Sequence, residues 1–234
     1  MGGGDGCGDG VKILAISDLH GNFPAIEPCD LLLIAGDLCP FRDHRVSAQS
    51  QFINDEFAAW LKRIPAEHVV GIAGNHDFVF ERSPQLIRDD LRWTYLQDQE
   101  TCLAGLRIYG TPWCPIFRNW AFNLDEGRLA EKWDRIPAEA DIVITHTPPF
   151  GYGDLTTDGL HVGSLSLRDR LPHFSARLVV FGHIHEAQGD YTFHRQDESA
   201  MRLANVAHLN ARGEPVHAPV PFKIEPRQNS LLRT

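Results

Sequence analysis

The sequence is short of the features that define several protein classes. Its five cysteines, Cys7, Cys29, Cys39, Cys102 and Cys114, are odd in number, irregularly spaced and contain no Cys-x-x-Cys pair. Neither a disulfide framework nor a thiolate zinc site is indicated, and the thiols read as reduced. Basic residues are also scarce: 22 Lys and Arg face 31 Asp and Glu, a formal charge of −9 in 234 residues. That balance argues against a generic nucleic-acid coat, so no stable nucleic-acid partner is expected. No apolar run approaches the ~20 residues that span a bilayer, so no membrane partner is expected. The Gly- and Asp-rich stretch Met1–Gly10 lacks the basic and apolar regions of a signal peptide. The expectation is a cytoplasmic protein with residues 1–10 as a flexible tail and residues 11–234 as a single domain. Oligomeric state is not legible.

What the chain has in excess is histidine. Its 12 copies nearly equal the 13 phenylalanines and exceed Met, Trp and Tyr together. Imidazole is the commonest protein metal ligand and the usual acid or base near neutral pH, so the positions of these residues matter first. A chain of this length buries about 70% of its unfolded surface and needs no metal merely to fold.

Five apolar runs end alike. Val11–Ser17 leads into Asp18, Leu31–Ala35 into Gly36-Asp37, and Val69–Ala73 into Gly74-Asn75-His76-Asp77. Ile142–Ile144 leads to Thr145-His146, and Leu178–Phe181 to Gly182-His183-Ile184-His185. Such Val-, Ile- and Leu-rich runs predict buried strands covered on both faces. Between them, Ile53, Phe57, Trp60, Leu61 and Ile64 form one helical face in a helix expected over 47–64, stopped by Pro65. A second helix is expected to start at Ser83-Pro84, and a third carries Leu129, Trp133 and Ile136. Residues 102–109 read as a hairpin turning near Gly105, and the tail past Met201 as further strands. The predicted fold class is α/β, a four-layer α/β/β/α sandwich of two mixed sheets flanked by helices.

Ligands of open α/β sheets gather beyond the carboxyl ends of the strands. The rule predicts one cleft for Asp18, His20, Asp37, Asn75, His76, Asp77, His146, His183 and His185. Asp18 and His20 alternate on an extended chain and can reach one ion, though Asp-x-His alone is also an ordinary capping loop. Asp37 could bridge two cations. Asn75 offers a neutral amide oxygen, His76 can serve as an acid, and Asp77 could accept its other ring proton. The imidazoles of His183 and His185, two residues apart after an apolar run, would be costly to bury without partners. His146 alone would read as a satisfied core histidine.

In this order the blocks resemble the calcineurin-like metallophosphoesterase superfamily, over residues 18 to 185. The segments Tyr109–Asn123, Trp133–Pro137, Thr145–Pro149 and Gly182–Glu186 are similar to its metallophosphoesterase-domain-containing subfamily, whose phosphodiesterases act on cyclic nucleotides. The resemblance implies one divalent metal on Asp18, His20, Asp37 and His185, and a second on Asp37, Asn75, His146 and His183. Manganese is the first expectation, with Fe, Zn, Ni or Co open. It implies a small phosphodiester or nucleotide substrate, a metal-bridging hydroxide as nucleophile, and His76 protonating the leaving alkoxide with Asp77 orienting it. A phosphomonoesterase, a nuclease or a non-catalytic scaffold are the alternatives. Some vertebrate members carry glycine where His183 stands, and many carry glutamate where Asp77 stands. Candidate substrate contacts beyond Asn75 and His76 are Arg118 and Asn119, in the aromatic segment Thr111–Asn123, and His161 in a Gly-rich loop. The remaining histidines carry no comparable expectation.

Overall fold

The computed structural model describes residues 10–227. The expected tail, residues 1–10, therefore lies almost wholly outside them. Thirteen strands are found among the described residues. The first sheet orders β13 (Val220–Ile224), β1 (Val11–Ile16), β2 (Cys29–Ala35), β3 (Ala66–Ile72) and β4 (Thr94–Tyr95). The second orders β11 (Gly189–His194), β12 (Ala200–Asn205), β10 (Leu178–Phe181), β9 (Ile142–Thr145), β6 (Leu106–Thr111) and β5 (Gln99–Leu103). A two-stranded ribbon pairs β7 (Cys114–Pro115) with β8 (Asn123–Leu124). Both sheets are parallel at the centre, and their antiparallel strands, β13, β11 and β5, stand at edges.

Three apolar layers make four layers of structure. Ile13, Leu31, Leu33, Val70 and Ile72 face Ile108, Ile142, Ile144 and Val180 between the sheets. Because side chains alternate along a strand, Leu14, Ile16, Leu32 and Ile34 point the other way, onto Phe52, Ile53, Phe57, Trp60 and Leu61. On the far side, Val143, Val179, Phe181 and Leu203 pack on Leu129 and Trp133 of α4 (Glu126–Trp133) and Leu167 of α5 (Leu165–Arg170). The α/β/β/α sandwich expected from the sequence is what forms.

The helices differ in detail. The first runs through α1 (Val46–Phe52), a π-helical turn at Ile53–Phe57, and α2 (Ala58–Leu61). It ends three residues before the expected 64, in tightened turns from Arg63 N–H to Trp60 and Ile64 N–H to Leu61, because Pro65 disfavours a helical residue before it. The helix expected at Ser83-Pro84 is a single 3₁₀ turn, Pro84–Leu86, whose Ser83 side chain caps nothing. A short helix, α3 (Phe78–Arg82), precedes it and buries Phe78, Val79 and Phe80. No helix among the described residues is long and apolar enough to cross a membrane.

At the carboxyl end of β1 the two sheets are stitched together. Ser17 bridges Ala207, its N–H donating to the Val206 carbonyl at 2.9 Å and its carbonyl accepting from His208 at 2.8 Å.

Candidate metal centre

Every motif expected at a strand end lies at one. Asp18 and His20 follow β1, Asp37 follows β2, Asn75 and His76 follow β3, His146 follows β9, and His183 and His185 follow β10. The local backbone is unusual there: Asp18, His20, Asp37 and His183 all have positive φ, at 55°, 43°, 54° and 69°. A left-handed non-glycine residue costs about 1 kcal/mol or more, so four of them at one place mark strain held by the surrounding fold. Two glycines let the chain come this close. A Cβ on Gly182 would collide with the Asp18 carboxylate and Ser17, and one on Gly74 would collide with Asp37.

The side chains converge in a chain of contacts. Asp18 Oδ1 lies 3.2 Å from His185 Nε2, and the Asp18 carboxylate accepts from the His183 N–H at 3.0 Å. Asp37 Oδ2 lies 3.4 Å from His20 Nε2 and 3.4 Å from His146 Nε2, while its Oδ1 accepts from the His76 N–H at 2.8 Å. Asn75 Oδ1 sits 2.9 Å from His146 Nε2. Donor atoms of Asp18, His20 and His185 lie within 4.8 Å of one another, as do those of Asp18, Asp37 and His146, and those of Cys114, His146 and His183.

The donor set fits cations. His146 Nδ1 faces the Ala35 carbonyl at 2.8 Å and must carry a hydrogen, so Nε2 meets only acceptors, Asn75 Oδ1 and Asp37 Oδ2. A second proton or a cation at Nε2 would satisfy both oxygens. His20 likewise directs Nδ1 to the Cys39 carbonyl at 3.2 Å and leaves Nε2 buried without a hydrogen-bond partner. A backbone carbonyl that fixes one ring nitrogen and frees the other is how proteins orient metal-binding imidazoles.

The electrostatics agree. Burial alone would depress His146, but Asp37 outweighs it and holds the imidazole up at about 9. Burial works to raise Asp18, yet His185 pulls it down to about 2. Asp37 is likewise raised by burial but carried well below the carboxylate range by His146, His76 and His20. Without such compensation burial wins: it lowers His183 to about 3, reinforced by His146, and His20 to about 4 against the pull of Asp37.

The expected pairing of Asp77 with His76 is not present. The Asp77 carboxylate accepts from the backbone N–H groups of Leu38, Cys39 and Gly74 at 2.8 to 3.1 Å, tying the β2 loop to the β3 loop. Three convergent peptide donors outcompete one imidazole. His76 Nδ1 instead meets His44 Nε2 at 3.2 Å, its peptide carbonyl accepts from the Gln49 side chain, and burial lowers its pKa. Phe41 stacks on the His20 ring with centroids 3.6 Å apart. Neither His44 nor Phe41 stands out in the sequence, since both lie in a loop without periodicity; the histidine excess was the only signal.

The aromatic segment divides between packing and exposure. Phe122 is fully buried and Trp113 Nε1 donates to Asp98 at 2.9 Å, so both serve as packing. Ile116, Phe117 and Trp120 line a cleft of about 360 Å³ together with Val162, Thr156 and His183. The Trp120 ring lies 4.4 Å from that of His76. Arg118 is exposed with its guanidinium over Phe117 and Trp120, and Asn119 is exposed beside it. His161 does not line the cleft: its Nδ1 pairs with buried Asp154 at 2.6 Å.

Comparison with known proteins follows the same lines. Residues 11–187 match the family model described as calcineurin-like phosphoesterase. Metallophosphoesterase domain-containing protein 1 of Homo sapiens is 31% identical over 249 residues, covering 94% of this chain and 73% of that protein. The protein described as UPF0046 protein T07D4.2 of Caenorhabditis elegans is 31% identical, covering 92% and 60%. Among solved structures, a dimetal phosphatase from Danio rerio is similar with a TM-score of 0.54 at 11% identity, covering 93% of this chain and 94% of that one. A 5'-nucleotidase precursor from Thermus thermophilus has a TM-score of 0.50 at 12% identity, covering 92% and 55%. At such identities the structures speak to the fold alone.

Proposed function

We propose, from the premise that the chain belongs to the calcineurin-like phosphoesterase family, that it is a binuclear metal-dependent phosphodiesterase of small substrates, cyclic nucleotides among them. The observation that carries the reading is Asp37. One oxygen of its carboxylate stands 3.4 Å from His20 Nε2 on one side and 3.4 Å from His146 Nε2 on the other, the position of a bridge between two ligand sets. Asp18, His20, Asp37 and His185 would hold one divalent cation, and Asp37, Asn75, His146 and His183 the other. When bound, the pair supplies an activated water and neutralises charge on the phosphoryl oxygens.

The rest is the work of side chains. His76 reaches the site beside His20, with ring centroids 5.0 Å apart, and its Nδ1 is engaged by His44. That leaves Nε2 to hand a proton to the departing alkoxide. Asp77 acts at one remove, fixing the two loops that carry Asp37 and His76. The apolar cleft next to His183 receives the organic arm of the diester, with Arg118 stacked on its walls Phe117 and Trp120 and exposed Asn119 next in the chain.

The test is to count bound metals on the purified protein and compare hydrolysis of bis(p-nitrophenyl) phosphate and p-nitrophenyl phosphate with and without added Mn²⁺. Metal-dependent turnover that favours the diester is expected. No metal-dependent turnover of either ester overturns the reading, and faster monoester cleavage replaces it with a phosphatase.

A further inference from the structure

Cys114 opens the short strand β7 and is pinned there by its N–H, which donates to the Phe122 carbonyl at 2.9 Å. Its side chain is fully buried and its Sγ has only a 3.5 Å contact with the Pro112 carbonyl. A buried cysteine is often just a small apolar filler. This one faces ligands: its Sγ, a nitrogen of His146 and a nitrogen of His183 lie within 4.8 Å of one another. Zinc–sulfur and zinc–imidazole bonds of ~2.3 and ~2.0 Å would place tetrahedral donors roughly 3.3 to 3.6 Å apart, so these three would close by up to about 1.5 Å around one ion.

A second feature of the same pocket points to a cation. His146 directs Nδ1 to the Ala35 carbonyl at 2.8 Å, and its buried Nε2 is faced by two oxygens, Asn75 Oδ1 at 2.9 Å and Asp37 Oδ2 at 3.4 Å. The pocket thus gathers a sulfur, two imidazole nitrogens, an amide oxygen and the near oxygen of Asp37. The other two groups, Asp18 with His20 and His185 and Asp18 with Asp37 and His146, have no sulfur. Soft thiolate ligands select zinc, cobalt or ferrous iron, whereas oxygen-rich sites accept manganese and magnesium.

We propose that Cys114 is a ligand of the cation site formed by His146 and His183, which makes the two positions chemically unequal and this one selective for thiophilic divalent ions over manganese. The inference rests on the binuclear reading above, and it replaces manganese as the expected ion at that position.

Cobalt titration of the full chain, stripped with chelator and kept free of oxygen, tests it. Two equivalents are expected to bind, with a near-ultraviolet thiolate-to-cobalt charge-transfer band that grows with one of them. Cys114→Ser, with unchanged circular dichroism, should bind cobalt without that band and lose about tenfold or more of its preference for zinc over manganese at that site. Zinc-edge X-ray absorption of the unaltered protein should show a sulfur in the zinc shell, which needs no variant to fold. Two bound cobalt ions without the band, or a band that persists in Cys114→Ser, would overturn the proposal alone. Failure to bind cobalt at all would overturn it together with the binuclear reading.

Discussion

The ligand cluster and the cleft wall meet at His183, but they are built differently. The candidate ligands are buried, or half-buried at His183 and His185, sit on loops one to four residues beyond parallel strands, and are held through strained backbone and hydrogen bonds to peptide groups. The wall is made of Ile116 and Phe117, exposed to 64% and 53%, and of loop residues 156 and 162, anchored by local bonds such as Asn123 Nδ2 to the Phe117 carbonyl and Val162 N–H to the Asp154 carbonyl. The difference separates reaction from selection. Geometry that must hold donors in fixed relation is assigned to the rigid sheet ends, and contact with the variable part of a substrate to surface loops.

Substitutions can break that division where it is strongest. Asp37→Ala removes the one carboxylate shared between the two proposed ligand sets, and the expected outcome is complete loss of turnover with loss of both metals, read by metal analysis and diester hydrolysis. His76→Ala should lower kcat by roughly 10²- to 10⁴-fold while metal content holds. Its neighbour gives the sharpest contrast. Asp77→Ala leaves the N–H groups of Leu38, Cys39 and Gly74 unpaired, and should cost about 3 kcal/mol of stability in denaturant melts. A stable Asp77→Ala with the pH profile of His76→Ala would restore the orienting role expected from sequence.

The next effect is graded. His146 in the metal-free protein stays protonated up to about 9, because Asp37 outweighs the burial that would lower it. A cation at Nε2 must displace that proton, so binding below pH 9 releases one, and affinity should rise roughly tenfold per pH unit between 7 and 9. Calorimetry in buffers of different ionisation enthalpy reads the released proton directly. The smallest change lies on the wall: Phe117→Ser should raise KM for an aryl diester about fivefold, near 1 kcal/mol, and leave kcat and metal content intact.

The same division explains what the sequence revealed. Buried parallel strands write themselves as Val-, Ile- and Leu-rich runs, and each run pointed to the polar residue at its end, so the four layers and the convergence of side chains from Asp18 to His185 were legible. The helix at Ser83-Pro84 was misread because a cap signal has no force without an apolar face to bury, and Leu86 remains 46% exposed. The expected contact of Asp77 with His76 is replaced for a different reason. A carboxylate beside an imidazole in sequence has several peptide donors competing for it in space, and two of the three, Leu38 and Cys39, belong to a loop 39 and 38 residues away. His44, Phe41 and Cys114 were missed because their importance is contributed entirely by neighbours distant in the chain.

The stitch between Ser17 and Ala207 has a thermodynamic consequence. Asp18, Asp37 and Asn75 come from the first sheet, and His146, His183 and His185 from the second, so ions held among them as proposed would join two sheets that are hydrogen-bonded to each other at this same seam. Opening the seam and releasing the ions would then be linked equilibria. A ligand or partner that pries the sheets apart would weaken ion binding, and ion binding would oppose that ligand by the same factor.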